Sequence, residues 1–393
     1  MTLRFFTAGE SHGPELTAIL DGFPAGLSIS LSQIDFELAR RQAGYGSGGR
    51  MKIEKDHARI TSGVMEGKST GAPITMIVKN LDHSKWVDKK IPSLHSPRPG
   101  HADLTGTIKY GFNDMRPALE RASARETTMR VAVGSLIKQL LDQFGIQIGG
   151  YVISIGTTKA VLPKLSLQEI YSLAEKSEIR CPDPEASEKI KGEIEETIRA
   201  KDTLGGVIEV FAMGVPPGLG SYVQWDRRLE SKIAAALMSV QAIKGVEIGE
   251  AWRNATIKGT SAHDPILIDG DELVRGTNKA GGIEGGISNG EPIIARAAMK
   301  PIATTLTPQA TVDLSNWMAV KTTYERSDFC PVPRAVPILE AMMAFVIADE
   351  LIQKIGGDSI AEMRQRYSTL PRLKQDTFKM SGSNLIFWGN ESE

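Results

Sequence analysis

Cysteine and histidine are scarce in this sequence of 393 residues, which contains two cysteines and six histidines. The two cysteines, Cys181 and Cys330, are too few and too far apart for a disulfide framework or a paired-cysteine zinc site, so we predict no metal centre. The net charge is also close to zero, because the chain contains 46 Lys and Arg residues and 47 Asp and Glu residues. Without an overall cationic field, general binding to nucleic acid is not expected, and any anion site must be local.

Long apolar runs are absent as well. Residues 1–13 contain no apolar stretch before a small-residue cleavage site, and no run approaches the roughly 18 apolar residues of a membrane span. The sequence therefore predicts a cytoplasmic protein without a membrane partner. At 41% hydrophobic and 24% charged residues, it has the composition of an ordinary globular chain.

Periodicity predicts a mixture of strands and helices. The predicted strands are 3–7, 16–20, 74–78, 152–155 and 207–212, and the predicted helices are 32–42, 126–144, 226–243 and 336–355. A capping box from Ser32 to Asp35 is expected to begin the first helix. The second and fourth helices are apolar around most of their circumference, which indicates burial between layers.

A weak internal repeat relates two parts of the chain. The run LDGFPAGL at 20–27 is similar to AMGVPPGL at 212–219, and each is followed downstream by a Glu-Arg pair before a long apolar helix. The repeat predicts two related halves, 1–145 and 200–355, within a single domain 1–368. A tail of unassigned role covers 369–393. Chance similarity stays open, because each match is short.

Two histidines stand in glycine-framed turns, as Ser11 and His12 in GESHG and His101 in PGHAD. Glycine lets a backbone approach a ligand closely, and a positioned histidine can exchange protons near neutral pH. Each turn alone is more often an ordinary surface loop.

An arginine-rich block, RASARETTMR at 121–130, is predicted at the start of the second long helix. Helix N-termini favour anions, and arginine binds carboxylate and phosphate in bidentate fashion. The alternative is a solvated arginine face with Glu126 as its partner. The loop that begins with Arg40 and Arg41 and ends at Arg50 fits GxGxxG, but a helix precedes it, whereas a dinucleotide fold requires a strand there.

In order and spacing, nine motifs resemble the chorismate synthase family from about residue 3 to 355. They are GESHG at 9–13, RR at 40–41, GHADL at 100–104, RASARETTMR at 121–130, GSYVQWDR at 220–227, KGVEIG at 244–249, GGIEGG at 281–286, MKP at 299–301 and ERSD at 325–328. The resemblance implies a lyase that removes phosphate and the C6 proton from 5-enolpyruvylshikimate 3-phosphate in a 1,4-anti elimination. The product is chorismate, at the last step of the shikimate pathway to aromatic amino acids, and reduced FMN is required without net redox change.

The resemblance also implies roles for individual residues. His12 with Ser11 would assist phosphate departure, His101 would lie by the flavin N1 region, Asp328 would relay the proton with flavin N5, and Ser123 would join the catalytic group. Substrate anions would be held by Arg41, Arg50 and Arg125. Flavin contacts would come from Arg121, Ala122, Ser123, Gln241, Ala242, Gly285, Lys300, Pro301, Ile302, Ala303, Thr304 and Arg326.

A nicotinamide donor is a less direct implication. Arg41 and Ser47 would contact NADPH, although many relatives have an arginine where this chain has Ser47. A separate flavin reductase is the other source of reduced FMN. The family further implies an α+β fold with a helical layer between two four-stranded antiparallel sheets, an internal pseudo-twofold and a homotetramer.

Two other functions stay open from the residues alone. A flavin or nicotinamide oxidoreductase would use the same glycine loops and histidines with net hydride transfer. An RNA-binding module would use the arginines, but the seven tyrosines and eleven phenylalanines form no stacking motif.

Overall fold

The structure is a computed structural model and describes residues 2–46, 55–323, 328–380 and 382. In chain order its strands are β1 Arg4–Ala8, β2 Glu15–Asp21, β3 Ala58–Ser62, β4 Val64–Met65, β5 Lys68–Ser69, β6 Ile74–Lys79, β7 Gln147–Ile155, β8 Thr158–Lys159, β9 Gly206–Met213, β10 Ile243–Ile248, β11 Ile266–Asp269, β12 Glu272–Arg275, β13 Ile283–Glu284, β14 Ile287–Ser288, β15 Ile293–Met299, β16 Ala310–Asp313 and β17 Met318–Lys321.

The helices are α1 Leu31–Gln42, α2 Asp103–Tyr110, α3 Arg116–Ala122, α4 Thr127–Asp142, α5 Leu167–Ala174, α6 Pro184–Arg199, α7 Leu229–Met238, α8 Ala251–Asn254, α9 Gly259–Ala262, α10 Val332–Ile355 and α11 Ile360–Ser368. No helix in the described part of the chain is long and apolar enough to cross a membrane. The predicted α+β class is confirmed.

Two antiparallel sheets account for the longer strands. The first has the order β1-β2-β6-β3, and the second has the order β10-β15-β9-β7-β8. The second sheet thus has five strands where four were predicted. The extra strand arises because the turn at Gly156 and Thr157 folds the chain back, so that β8 pairs with the end of β7.

The two long apolar helices lie against these sheets. Helix α4 packs on β2 and β6, α10 packs on β7 and β9, and the two helices pack on each other. Helix α10 buries side chains on every face, as predicted from a sequence that is apolar around most of the helix circumference. Leu16, Ala18 and Leu20 of β2 alternate inward toward this core.

The predicted elements agree with the structure except at some ends. Helix α1 has Ser30 as its N-cap, not Ser32, since Ser30 accepts a hydrogen bond from the Gln33 amide. Helix α7 ends at Met238 and not at 243. Residues 239–242 form a turn, in which Ala242 has a φ of 68°, and β10 begins at Ile243. Helix α10 begins four residues before the predicted start, with prolines tolerated in its first turns.

The repeated segments have matching local structure. Ser69 donates to the Pro24 carbonyl at 2.6 Å and accepts from the Leu27 amide at 3.0 Å. Ser288 does the same with Pro216 at 2.7 Å and Leu219 at 2.9 Å. Strand β7 precedes the predicted second half. It lies next to β9 in the second sheet, as β1 lies next to β2 in the first, and β2 and β9 are the strands that lead into the repeated segments. Two related halves would therefore include β7.

Candidate active site

The turn after β1 holds the first predicted histidine. Gly9 has a φ of 106°, and a Cβ there would lie 2.5 Å from the Glu15 carbonyl oxygen, so this turn requires glycine. His12 follows with its side chain about one fifth exposed. Its Nδ1 lies 2.8 Å from Glu120 Oε1, and its backbone amide donates to Glu120 Oε2 at 2.9 Å. The turn is thus tied to helix α3.

The segment after β6 covers the other side of His12. The rings of His12 and Trp86 have centroids 4.1 Å apart with a tilt of 38°. His83 Nδ1 lies 2.8 Å from the His12 carbonyl oxygen. The imidazole is therefore held by groups from α3 and from residues 81–86.

The arginine block lies at the start of α4, as predicted, and it also joins α4 to a preceding helix. Helix α3 ends at Ala122, Ser123 is extended, and α4 begins only at Thr127. The break turns the Ser123 hydroxyl toward the first turn, where it donates to Ser11 Oγ at 3.2 Å. Ser123 acts as a cap at this break, with its hydroxyl accepting from the Arg125 amide.

Arg125 points inward from this join. Its Nη1 donates to both oxygens of Asp56, at 2.8 and 2.9 Å, and its Nε donates to Asn80 Oδ1 at 2.8 Å. The Asn80 amide in turn donates to the Gly13 carbonyl at 2.8 Å. Arg125 is thereby connected to the His12 turn.

Arg41, at the end of α1, is buried beside it. Its guanidinium donates to Thr127 Oγ1 and to the Ala124 carbonyl, both at 3.0 Å, and its Nη1 is 3.6 Å from Asp56. Burial and the neighbouring positive charge of Arg334 lower the pKa of Arg41. Among the described residues, Arg41 Nη1 has no hydrogen-bond partner.

Asp328 joins the same group through α10. Arg334 donates to the Asp328 carboxylate, and its Nε donates to the Arg41 carbonyl at 3.0 Å. We call Arg41, Arg125, Arg334, Asp56 and Asp328 the arginine cluster. It brings three guanidinium groups and two carboxylates together in the described part of the chain.

The second predicted histidine, His101, lies in a separate group with Asp103 and Arg98. His101 Nδ1 is 2.6 Å from Asp103 Oδ1, and Arg98 donates to the other Asp103 oxygen at 2.8 Å. Burial opposes ionisation of Asp103, but hydrogen bonds from His101 and Arg98 lower its pKa well below the usual range. Arg98 also donates to Thr304 Oγ1 at 2.9 Å, which places His101 beside the predicted flavin segment 300–304.

The predicted flavin residues are connected to the arginine block by hydrogen bonds. Arg121 donates to the Thr7 carbonyl at 2.7 Å, and Thr7 Oγ1 donates to Glu126 at 2.7 Å. Gln241 donates to the other Glu126 oxygen at 3.3 Å. The Lys300 amide then donates to the Ala242 carbonyl at 2.9 Å. The remaining members extend this segment, with Ala122 ending α3 and Pro301, Ile302 and Ala303 leading to Thr304.

Gly285 is not brought to this group. It lies in the β13–β14 hairpin, which packs beside residues 220–228, and no described contact connects it to the other predicted flavin residues. Ser47, Arg50 and Arg326 lie outside the described residues.

Several site residues had no prediction from sequence. Asp56 and Asn80 stand outside every motif, and nothing in the sequence indicated that they would meet Arg125. Trp86 likewise had no signal. Glu120 adjoins the arginine block and forms the Glu-Arg pair of the repeat with Arg121, but neither feature predicted its contact with His12.

The comparison with protein families decides the identity of this arrangement. The family model described as chorismate synthase matches residues 3–352. The chain belongs to the chorismate synthase family. Chorismate synthase of Chlorobaculum tepidum is 50% identical over 382 residues, covering 93% of this chain and 96% of the relative. Chorismate synthase of Geotalea uraniireducens is 49% identical over 383 residues, covering 93% and 98%.

A solved structure agrees with the sequence relatives. A crystal structure of a chorismate synthase is 44% identical, has a TM-score of 0.78 and covers 94% of this chain and 97% of its own. The predicted family and the predicted class, a lyase acting at the last step of the shikimate pathway, are confirmed.

Proposed function

We propose that this chain converts 5-enolpyruvylshikimate 3-phosphate to chorismate by 1,4-anti elimination of phosphate and the C6 proton, with reduced FMN and without net redox change. The observation that carries the proposal is the arginine cluster. A chain of nearly neutral net charge has buried three guanidinium groups against two carboxylates, next to a Ser-His turn.

The cluster suits a substrate with two carboxylates and one phosphate. Arg41 has a buried Nη1 with no hydrogen-bond partner among the described residues, and burying such a donor is costly unless a ligand completes it. An incoming carboxylate would accept that hydrogen bond. Arg41 and Arg125 would therefore hold substrate anions, with Arg50 as the third predicted member.

His12 would act on the leaving phosphate. With Nδ1 engaged by Glu120, Nε2 is the ring atom able to donate to a phosphate oxygen. Ser11 and Ser123, paired through their hydroxyls, would supply further polar contacts beside it. Asp328 would be the carboxylate that holds the departing C6 proton and passes it on.

The residues predicted to hold FMN fit its chemical groups. Gln241 Oε1 is buried and lacks a hydrogen-bond partner within the described ranges, so it can accept from a ring N–H. Burial and the nearby charge of Lys244 lower the pKa of Lys300, and neither lysine has an ion pair with a described carboxylate. Two such cations suit a phosphate dianion.

Reduced FMN, when bound, would supply transient electron donation that is returned at the end of the turnover. It would be oriented by Arg121, Ala122, Ser123, Gln241, Ala242 and residues 300–304, with Arg326 as a further predicted contact. His101, held by Asp103 and Arg98, would present its remaining ring edge to this region.

Four finer features belong to the same proposal. The protein is a cytoplasmic homotetramer, and each chain is a β-α-β sandwich of two pseudo-twofold halves within residues 1–368. Reduced FMN comes from NADPH bound near Arg41 and Ser47 or from a separate flavin reductase. Native mass spectrometry tests the tetramer, and flavin reduction by NADPH in the purified protein tests the first source.

The test of the reaction is anaerobic incubation of the protein with 5-enolpyruvylshikimate 3-phosphate and chemically reduced FMN. Phosphate and chorismate should appear in equal amounts, and oxidised FMN without a reductant should give neither. Failure to release phosphate with fully reduced FMN present would overturn the proposal.

A further inference from the structure

Glu120 contacts His12 in a way that no sequence motif explains. One carboxylate oxygen, Oε1, lies 2.8 Å from the ring Nδ1, and the other, Oε2, accepts from the His12 backbone amide at 2.9 Å. The Glu120 carbonyl also accepts from the Ser11 amide at 3.2 Å. A single residue of α3 therefore fixes the backbone and the ring of His12 together.

We propose that Glu120 is the positioning residue for His12, which it holds with the proton on Nδ1 so that Nε2 faces the leaving phosphate. This inference rests on the proposed function. An ionised carboxylate only accepts hydrogen bonds, so the nitrogen facing it must be the donor. A carboxylate behind a catalytic imidazole sets the tautomer and favours the protonated ring, as in hydrolase triads.

The surroundings of Glu120 keep its carboxylate ionised. The side chain is only 13% exposed, and burial alone would raise its pKa. The hydrogen bond and charge of His12 outweigh burial, and the nearby charge of Arg116 on the same helix adds to them, so the pKa of Glu120 is lowered. From the opposite side, His83 faces the His12 carbonyl and Trp86 faces the ring.

Trp86 completes the restraint. Its ring lies against the imidazole, with centroids 4.1 Å apart, and its Nε1 donates to Asp82 at 3.3 Å. The indole thus has a fixed orientation and blocks rotation of the His12 ring away from Glu120. An indole face also favours a positively charged ring.

The variant Glu120→Gln tests the role of the carboxylate. If the amide oxygen keeps the hydrogen bond from the His12 backbone amide, the NH2 group must face Nδ1, which then has to accept, and the ring proton moves to Nε2. We expect kcat to fall by roughly 100-fold or more, as for removal of the orienting carboxylate in a triad. KM and FMN affinity should stay within about threefold, because Glu120 is expected to contact neither ligand, while the pH profile of kcat changes.

Two further measurements and a control variant separate positioning from a structural role. Nitrogen-15 NMR of His12 should show a protonated Nδ1 in the wild type, in the neutral ring and in the doubly protonated ring that donates from Nε2, and an unprotonated Nδ1 in Glu120→Gln. This readout does not depend on turnover. Glu120→Asp, which keeps a carboxylate, should recover part of kcat. Glu10 is an exposed carboxylate in the same turn, so the control variant Glu10→Gln should leave the pH profile unchanged.

Wild-type kcat and pH profile in Glu120→Gln, or an unprotonated Nδ1 in the wild type, would overturn the inference. If Glu120→Gln does not fold, the wild-type NMR spectrum and Glu120→Asp still decide it. An inactive wild type that nonetheless has the Nδ1 proton would instead contradict the proposed function alone.

Discussion

Ser123 donates a hydrogen bond to Ser11 across an Oγ–Oγ distance of 3.2 Å, although 112 positions separate the two residues in the chain. The contact joins the turn after β1 to the break between α3 and α4. Two motifs that are separate in the sequence therefore form one site. The predictions below depend on this joined site and on the charges buried beside it.

Replacing His12 by alanine should reduce turnover by roughly 100- to 10,000-fold, the usual contribution of a positioned acid. The measurement is phosphate release under anaerobic conditions with reduced FMN. His57→Ala is the matched control, because His57 is 72% exposed and pairs only with Asp35 among described carboxylates. Equal activity of the two variants would remove His12 from the mechanism.

Asp56→Asn should destabilise the protein by about 3–5 kcal/mol, because it leaves buried guanidinium charge without its partner. Asp56 is fully buried and contacts both Arg125 and Arg41. Chemical unfolding at fixed protein concentration measures this change. The exposed pair of Arg4 and Asp21 provides the control, and Asp21→Asn should cost no more than about 1 kcal/mol.

Arg41→Gln should have the opposite effect on stability. Burial and Arg334 already disfavour the charged form of Arg41, as its lowered pKa shows, so the unliganded variant should be at least as stable as the wild type. Substrate affinity should fall roughly 10- to 100-fold, the value of a hydrogen bond to a charged group. A less stable variant with unchanged substrate affinity would contradict a ligand-binding role for Arg41.

Lys300→Met should weaken FMN binding by roughly tenfold or more, through loss of a cation opposite the phosphate. Fluorescence titration with oxidised FMN gives the affinity without turnover. Because the pKa of Lys300 is lowered, its ammonium group loses its proton at a lower pH than that of an ordinary lysine. The FMN affinity of the wild type should therefore begin to fall at that lower pH. Lys258→Met, at an exposed position, should change neither the affinity nor its pH dependence.

Sequence patterns predicted the elements of the core better than their ends. Helix α4 was found because its apolar residues recur on all faces, which only burial explains. The end of α7 was missed because the turn that follows it, residues 239–242, contains no glycine, proline or asparagine, and Ala242 there has a positive φ that its residue type does not indicate in advance. The strand β8 was missed because two residues are too few to show a period.

The motif residues were predicted, but their partners were not. His12, Arg41 and Arg125 stand in recognisable motifs, whereas Asp56, Asn80 and Glu120 acquire meaning only when the chain folds. Asn80 meets Arg125 across 45 positions and Glu120 meets His12 across 108. Long-range hydrogen bonds of this kind leave no periodic trace in a single sequence, so the electrostatics of the site had to come from the structure.

The most direct test of the central claim is the ratio of reductant consumed to phosphate released during many anaerobic turnovers. A family member that performs an elimination should release many equivalents of phosphate for each equivalent of reductant, so the ratio should approach zero. An oxidoreductase using the same loops and histidines would consume one equivalent for every product molecule. A ratio near one would mean that the chain catalyses a net redox reaction and not the elimination.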